Sequence, residues 1–398
     1  MRDDSGARLG DFLDLAGVGA WTARMAELGR RSAEGVYRGR AVQQRHALEL
    51  TLERLRRSPA ARRPSVAEQR VLALAVELAA IHRSLGPAGR RRLAAELQRA
   101  LTGDGTLIGL LHLVRTAALQ RSRGFEVRFA GLEDDAPFDL LLSRDDIEAE
   151  VVCDVVSAEE GREVHRCAWV GLMDRVDPDL QAWLAAHPGR YLLKLTLPQG
   201  LRKESAGQDR LAALHGRILA MLMTRSRADH DETAVLRLDP LALAAAQAND
   251  LGLISWLRRE FGHEAHLAVT AAGGGVFVTA ARAGRENEVA VAIRRRMAAI
   301  APERLSGRRA GILAMHVEDT DRAEWRYLRD QLELEGEARQ FLTLAAARCV
   351  VAVTCASRFE LFGAAAPDGA ADGELRFRNP AHPAARAAAL APAVLSSI

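Results

Sequence analysis

Apolar residues recur at three- and four-residue spacing across residues 18–34, 38–57, 65–84 and 88–102, which predicts four amphipathic helices within a region, 8–102, that reads as helical throughout. Breaks fall from Ser58-Pro59 to Pro64-Ser65 and at Gly86-Pro87. Ser65 with Glu68 three residues on predicts a capping box at the start of the third helix. Residues 106–122 form a further apolar helix, closed by Gly124 at its C-terminal end.

From there the period changes. Phe125–Ala130, Phe138–Ser143 and Ile147–Val156 read as strands, 161–186 as a helix, and Tyr191–Leu197 as a strand stopped by Pro198. Three meandering strands, a helix and a further strand predict a mixed sheet flanked by helices. Helices at 206–224, near 240–260, at 285–300 and at 321–346 then alternate with strands. The strands are Thr233–Leu238, Gly311–Val317, Cys349–Thr354 and Phe359–Phe362, with a hairpin, His266–Thr270 and Val276–Ala281, around Gly273-Gly274-Gly275. The expected division is a helical, Arg-rich domain (1–104), a core (105–200), an α/β C-terminal region (201–378) and an Ala/Pro-rich tail (379–398) with little pattern.

The strand at 147–157 carries the most chemistry. Ile147, Ala149, Val151, Cys153 and Val155 alternate with Glu148, Glu150, Val152 and Asp154, which predicts one buried and one acidic face. Asp139 sits upstream, in Pro-Phe-Asp-Leu-Leu-Leu. Carboxylates gathered on one face repel one another unless a cation joins them. Asp139, Glu148, Glu150 and Asp154 are therefore candidate ligands for a divalent metal. The alternative is a solvated acidic strand face.

Composition narrows the class. Forty-eight per cent apolar and 27% charged residues suit a globular protein of two or three domains. No apolar run is long enough to span a membrane, and the N-terminus, Met-Arg-Asp-Asp-Ser-Gly, lacks a secretory apolar core. The four cysteines show no zinc spacing, so a reduced, cytoplasmic setting is expected. Charge is asymmetric: residues 1–124 hold 22 Arg against 12 acids, whereas 131–180 hold 4 Arg against 15 acids. A basic region beside an acidic one suits a protein that acts on a polyanion. Arg56, Arg57, Arg62, Arg63, Arg90, Arg91 and Arg92 are the candidate phosphate contacts. Only two lysines, 194 and 203, occur against 53 arginines, so the Arg bias itself carries little information about partners.

The stretch from 106 to 197 resembles the core of the PD-(D/E)XK nuclease superfamily, with its restriction-endonuclease-like fold, in a divergent bacterial form. Phe138-Asp139 resembles the family's first metal-ligating acid, strand 147–157 the one that bears its E-x-K signature, and Ser157–Arg166 the segment that follows. The resemblance implies Mg²⁺ held by acids on adjacent strands and a lysine, two positions beyond the second acid, beside the attacking water. The sequence departs from that pattern. With Glu148 as the acid, the lysine position holds Glu150; with Glu150, it holds Val152. Alignment from Ser157 puts Val152-Cys153-Asp154 on the motif, so that both acid and lysine are replaced. Lys194 is the one lysine placed to substitute, although an edge or surface charge is its simpler reading.

The weaker signals are short. Leu15–Ala23 resembles the turn of a helix-hairpin-helix. His263-Glu264-Ala-His266 lacks the spacing of a zinc motif, and Gly273–Gly275 lacks the setting of a phosphate loop. Arg294-Arg295-Arg296 fits either phosphate contacts or a solvent face. The leading expectation is a catalytically degenerate, nucleic-acid-binding or regulatory pseudo-nuclease. The alternatives are an active Mg²⁺-dependent phosphodiesterase using Asp139 and Glu150, assisted by Lys194 or an arginine and with Asp154 as a further catalytic candidate, and a scaffold that binds a protein partner through its helical domain.

Overall fold

The computed structural model describes residues 4–58, 62–202, 210–240, 250–262, 264–358 and 374–396. The chain is an α/β protein in which a helical N-terminal region precedes two mixed sheets interleaved with helices. It groups into two compact units, each assembled from separate segments. Unit 1 is Met1–Arg30, Gln43–Glu160 and Ala290–Ile398; unit 2 is Arg31–Val42 and Gly161–Val289. The grouping does not follow the sequential boundaries at 104, 200 and 378. The expected strand Phe359–Phe362 lies outside the described residues.

The N-terminal helices are α1 (Asp4–Ala16), α2 (Val18–Ala33), α3 (Val36–Arg45), α4 (Ala47–Arg57), α5 (Val66–Ser84), α6 (Pro87–Ala100) and α7 (Ile108–Ser122). The Ser65–Glu68 capping box forms as its spacing predicts. The expected helix 38–57 is two helices, broken at His46. The His46 ring is fully buried, with Nδ1 3.3 Å from both Arg24 Nη2 and Glu49 Oε1. The apolar periodicity reads straight through this break. At the other end of the region, α7 closes with a Schellman motif. Gly124 has φ +86°, its N–H donates to the Arg121 carbonyl (2.9 Å), and the Phe125 N–H donates to that of Gln120 (3.1 Å).

In unit 1, β1 (Glu126–Arg128), a short helix α8 (Ala130–Glu133), β2 (Leu140–Arg144) and β3 (Ile147–Ser157) form the expected antiparallel meander. The parallel neighbour of β3 is not the strand after it. It is β9 (Ala310–Glu318), reached after residues 161–289 and helix α12 (Val289–Arg304). The sheet continues with β10 (Val350–Ser357), parallel to β9, and β11 (Leu375–Arg378), antiparallel to β10. β9 and β10 read as continuous apolar runs, Ile312-Leu313-Ala314-Met315 and Val350-Val351-Ala352-Val353, because both faces of central parallel strands are covered. The C-terminal stretch is not an unpatterned tail: Leu390, Ala393 and Val394 are buried in the unit 1 core, the last two on α15 (Ala391–Val394).

In unit 2, the strand expected beside β3 is β4 (Arg190–Leu197), and it belongs to a different sheet. β4 runs parallel to β8 (Gly275–Ala283) and antiparallel to β6 (Val235–Pro240); β5 (Ala228–His230) and β7 (His266–Ala272) are the edges. A short apolar strand carries no mark of its partner, so local pattern could not assign it. Helices α9 (Arg166–Ala186) and α10 (Arg210–Thr224) pack a core on one face, and Leu257 of α11 (Asp250–Phe261) is buried with Leu192 and Val278 on the other. The β7–β8 turn needs φ > 0 at Gly273 (+56°) and Gly274 (+77°), the primed turn that matches strand twist. The expected helix 321–346 is broken into α13 (Arg322–Asp330) and α14 (Glu333–Leu342), with Leu332 at φ +60° between them.

Two carboxylates of the helical region give a pH prediction. Glu53 accepts from Arg56, Trp21 and Arg57, and Glu68 from Arg62 and the Ser65 N–H; these hydrogen bonds hold each carboxyl down to about 2. A lowered folded pKa stabilises fully above the unfolded value of 4.5, and the stabilisation is lost as pH falls from there towards about 2. Urea midpoints measured across that range should fall with pH, and less steeply in a Glu53→Gln/Glu68→Gln variant. Parallel curves for the two proteins would refute the assignment.

Candidate functional site

The acidic face forms on β2 and β3, and their register decides which groups meet. Leu140 stands opposite Val151 and Leu141 opposite Glu150. The Asp139 N–H donates to the Val151 carbonyl (2.9 Å), so the residue just before β2 is held against the same residue that Leu140 faces. Glu148, Glu150, Val152 and Asp154 alternate along one face of β3, and Asp139 lies beside residues 151–153 of that strand. Of these, Glu150 and Val152 are fully buried.

Each acid on this face is held by a cation or donor from α12 and the loop after it. Asp139 Oδ1 is 2.8 Å from Arg304 Nη2, and its Oδ2 accepts from the Cys153 N–H at 2.7 Å. Arg304 Nε also donates to the Pro137 carbonyl (2.9 Å), which fixes the guanidinium in place. Asp154 receives a fork from Arg296, Nε to Oδ2 at 2.6 Å and Nη2 to Oδ1 at 2.9 Å. Glu148 pairs with Arg309 Nε at 2.5 Å. Glu150 accepts from the Ser306 N–H (2.8 Å) and hydroxyl, with Arg309 Nη1 at 3.4 Å. Burial pushes the Asp139 carboxyl above its usual range, with the Arg304 charge opposing. Burial also pushes the Cys153 thiol well up, which removes it as a nucleophile.

This arrangement does not fit a divalent ion. Mg²⁺ needs oxygen atoms that converge, and here each acid is turned towards its own guanidinium or N–H partner. Among the described residues, no three of Asp139, Glu148, Glu150 and Asp154 bring ligand atoms within 4.8 Å of one another. A salt-bridged strand face is what the carboxylates build.

Lys194 lies on β4, in the second sheet. Its Nζ is 3.2 Å from Asp239 Oδ2 and 5.6 Å from the centroid of the Phe261 ring, and it stands opposite Arg237. Most of the candidate phosphate contacts are also occupied. Arg56 and Arg57 pair with Glu53, Arg62 with Glu68, and Arg92 with Asp135. Arg90 donates to the Leu85 and Arg83 carbonyls. Arg63 and Arg91 are exposed and, among the described residues, have no such partner. His266 is half-buried: its Nε2 is 2.9 Å from the Val164 carbonyl, and desolvation pushes its pKa down to about 3.

The residues that sequence reasoning missed are Arg304, Ser306 and Arg309. Their only local signal is an Arg-rich stretch much like others in the chain. Arg296 was visible within Arg294–Arg296, but as a phosphate contact or solvent charge. Arg294 of the same run pairs with Glu337 at 2.5 Å. No protein-family model matches the chain, and neither a curated protein nor a solved structure matches it.

The Arg304–Asp139 pair gives a stability prediction. Arg304→Ala leaves a half-buried carboxylate without its cation and should cost about 2 kcal/mol in urea unfolding at pH 7. Adding Asp139→Asn should recover part of that loss, since the two groups are in contact. Additive losses in the double mutant would show that the pair is not coupled.

Proposed function

We propose that this chain is a catalytically degenerate relative of the PD-(D/E)XK nucleases that binds nucleic acid or regulates its processing without cutting it. The support for the fold is an order of elements. Unit 1 supplies α7, the β1–β2–β3 meander, α12 and a parallel strand β9 in succession, which is the order the resemblance implies, with unit 2 residues 161–289 inserted between β3 and α12. The strand that completes the pattern is thus β9, in place of the Tyr191–Leu197 strand that sequence proximity suggested.

One observation carries the degenerate reading. Counted back from Ser157, the position where the family places its second acid holds Val152, which is fully buried. Two residues on, at the lysine position, is Asp154, forked to Arg296. An apolar side chain offers no ligand, and an acid there cannot supply the positive charge beside an attacking water. Glu150, one step back on the same face, is engaged with Ser306 and Arg309. The nucleic-acid part of the proposal rests on the charge of the helical region, where, of the seven candidate arginines, Arg63 and Arg91 are exposed without a partner among the described residues.

The test uses the full chain with plasmid DNA, linear DNA and RNA, with Mg²⁺ or Mn²⁺. No cleavage is expected, and calorimetric titration with Mg²⁺ should give no saturable binding that Asp139→Ala abolishes. Cleavage lost in Asp139→Ala would overturn the degenerate reading. Mobility shifts should appear at low salt, weaken steeply as salt rises, and weaken further in Arg63→Glu/Arg91→Glu. Absence of any shift at low salt would overturn the nucleic-acid reading and favour a scaffold.

A further inference from the structure

Helix α7 carries polar side chains where a core helix would carry apolar ones. His112, Thr116 and Gln120 recur every four residues, so they lie on one side of the helix, and they are 2%, 3% and 2% exposed. That side looks onto the sheet, since His112 Nε2 is 2.9 Å from the Ala314 carbonyl of β9. A carbonyl only accepts, so Nε2 carries the hydrogen and Nδ1 keeps its lone pair. Two residues along β9, His316 is 0% exposed, and its ring centroid stands 5.3 Å from that of His112. Among the described residues, His112 Nδ1, Gln120 Oε1 and both ring nitrogens of His316 have no hydrogen-bond partner. The Thr116 hydroxyl has only the Cys153 thiol beside it, a weak partner.

Buried polar atoms without partners cost free energy, and their concentration along one seam calls for a common occupant. Its chemistry follows from theirs. His112 Nδ1, Gln120 Oε1 and one nitrogen of a neutral His316 accept; the other His316 nitrogen donates, and the Thr116 hydroxyl does either. The occupant must therefore be rich in hydrogen-bond donors, which excludes a simple anion. Burial keeps both imidazoles neutral, with His112 pushed down to about 4. The charged groups at the seam are Arg115 and Arg123 of α7, set against Glu374. Among the described residues, His112 and His316 belong to no group of three His, Cys, Asp or Glu side chains with ligand atoms within 4.8 Å of one another, which disfavours a metal ion.

We propose that the seam between α7 and the sheet strands β3 and β9 is an internal hydration site, in which a file of ordered water molecules bridges His112, His316, Thr116 and Gln120. From His112 to Gln120 the helix rises about 12 Å, so more than one water is required. The site would bind α7 to the sheet through bridged hydrogen bonds in place of side-chain packing. It stands independently of the nuclease reading.

A crystal structure of the full chain at about 1.5 Å resolution tests this directly. Ordered water within hydrogen-bond reach of His316 and Thr116 is the expected result. A dry seam, or a metal found there and in elemental assay of the purified protein, would overturn the proposal. Thr116→Val supplies a second reading, because it keeps the shape and removes the hydroxyl. The thermal midpoint should fall by about 2 °C if water bonds that group. A rise would mean that an orphan had been relieved, and would also overturn the proposal.

Discussion

Unit 1 depends on the parallel pairing of β3 with β9. From Ala149 against Ala310 to Ser157 against Glu318, the two strands run side by side, although residues 158–309 separate them in the chain. Closing so long a loop costs configurational entropy before any contact forms. The return comes from burial: Val151, Val152 and Val156 on β3, and Ile312, Leu313, Met315 and Val317 on β9, are fully buried. The pairing also brings α12 and the 305–309 loop over the acidic face, since both lead directly into β9.

That consequence decides the chemistry. Asp139, Glu148, Glu150 and Asp154 would repel one another on an uncovered strand face. α12 and its following loop supply Arg296, Arg304, Arg309 and the Ser306 N–H, and each acid finds a donor. Removing charges from water is expensive, and such pairs mainly offset that cost. The face therefore contributes to the specificity with which α12 seats on the sheet, and only modestly to net stability. With each acid turned towards its own partner, their oxygens do not converge on a divalent ion. The opposite face of the sheet shows a second polar solution, where imidazoles meet α7 in the core.

Much of the architecture was legible locally. Ser65 and Glu68 announced a cap, Gly124 a helix end, and Gly273-Gly274 a hairpin, because each acts through hydrogen bonds or φ values within a few residues. The alternation at 147–157 announced a strand with an acidic face. Other features were hidden for a stated reason. The breaks at His46 and Leu332 interrupt sound apolar periodicity, and the buried His46 ring lies against Arg24 and Glu49. Leu390, Ala393 and Val394 sit in an Ala/Pro-rich stretch whose composition masks its burial.

The sequence by itself determined the kind of each element and the residues that could carry chemistry, since propensity, capping and alternation act over a few residues. The tertiary structure alone decided which strands pair and which cations reach which acids. β4 and β9 are both short apolar strands that follow a helix, and nothing within either strand says that β9 and not β4 lies beside β3. In the same way Arg304 and Arg91 are the same side chain in sequence; one holds Asp139 in the structure while the other faces solvent. Hydrogen bonding and burial act on neighbours in space, and those neighbours exist only once the chain has folded.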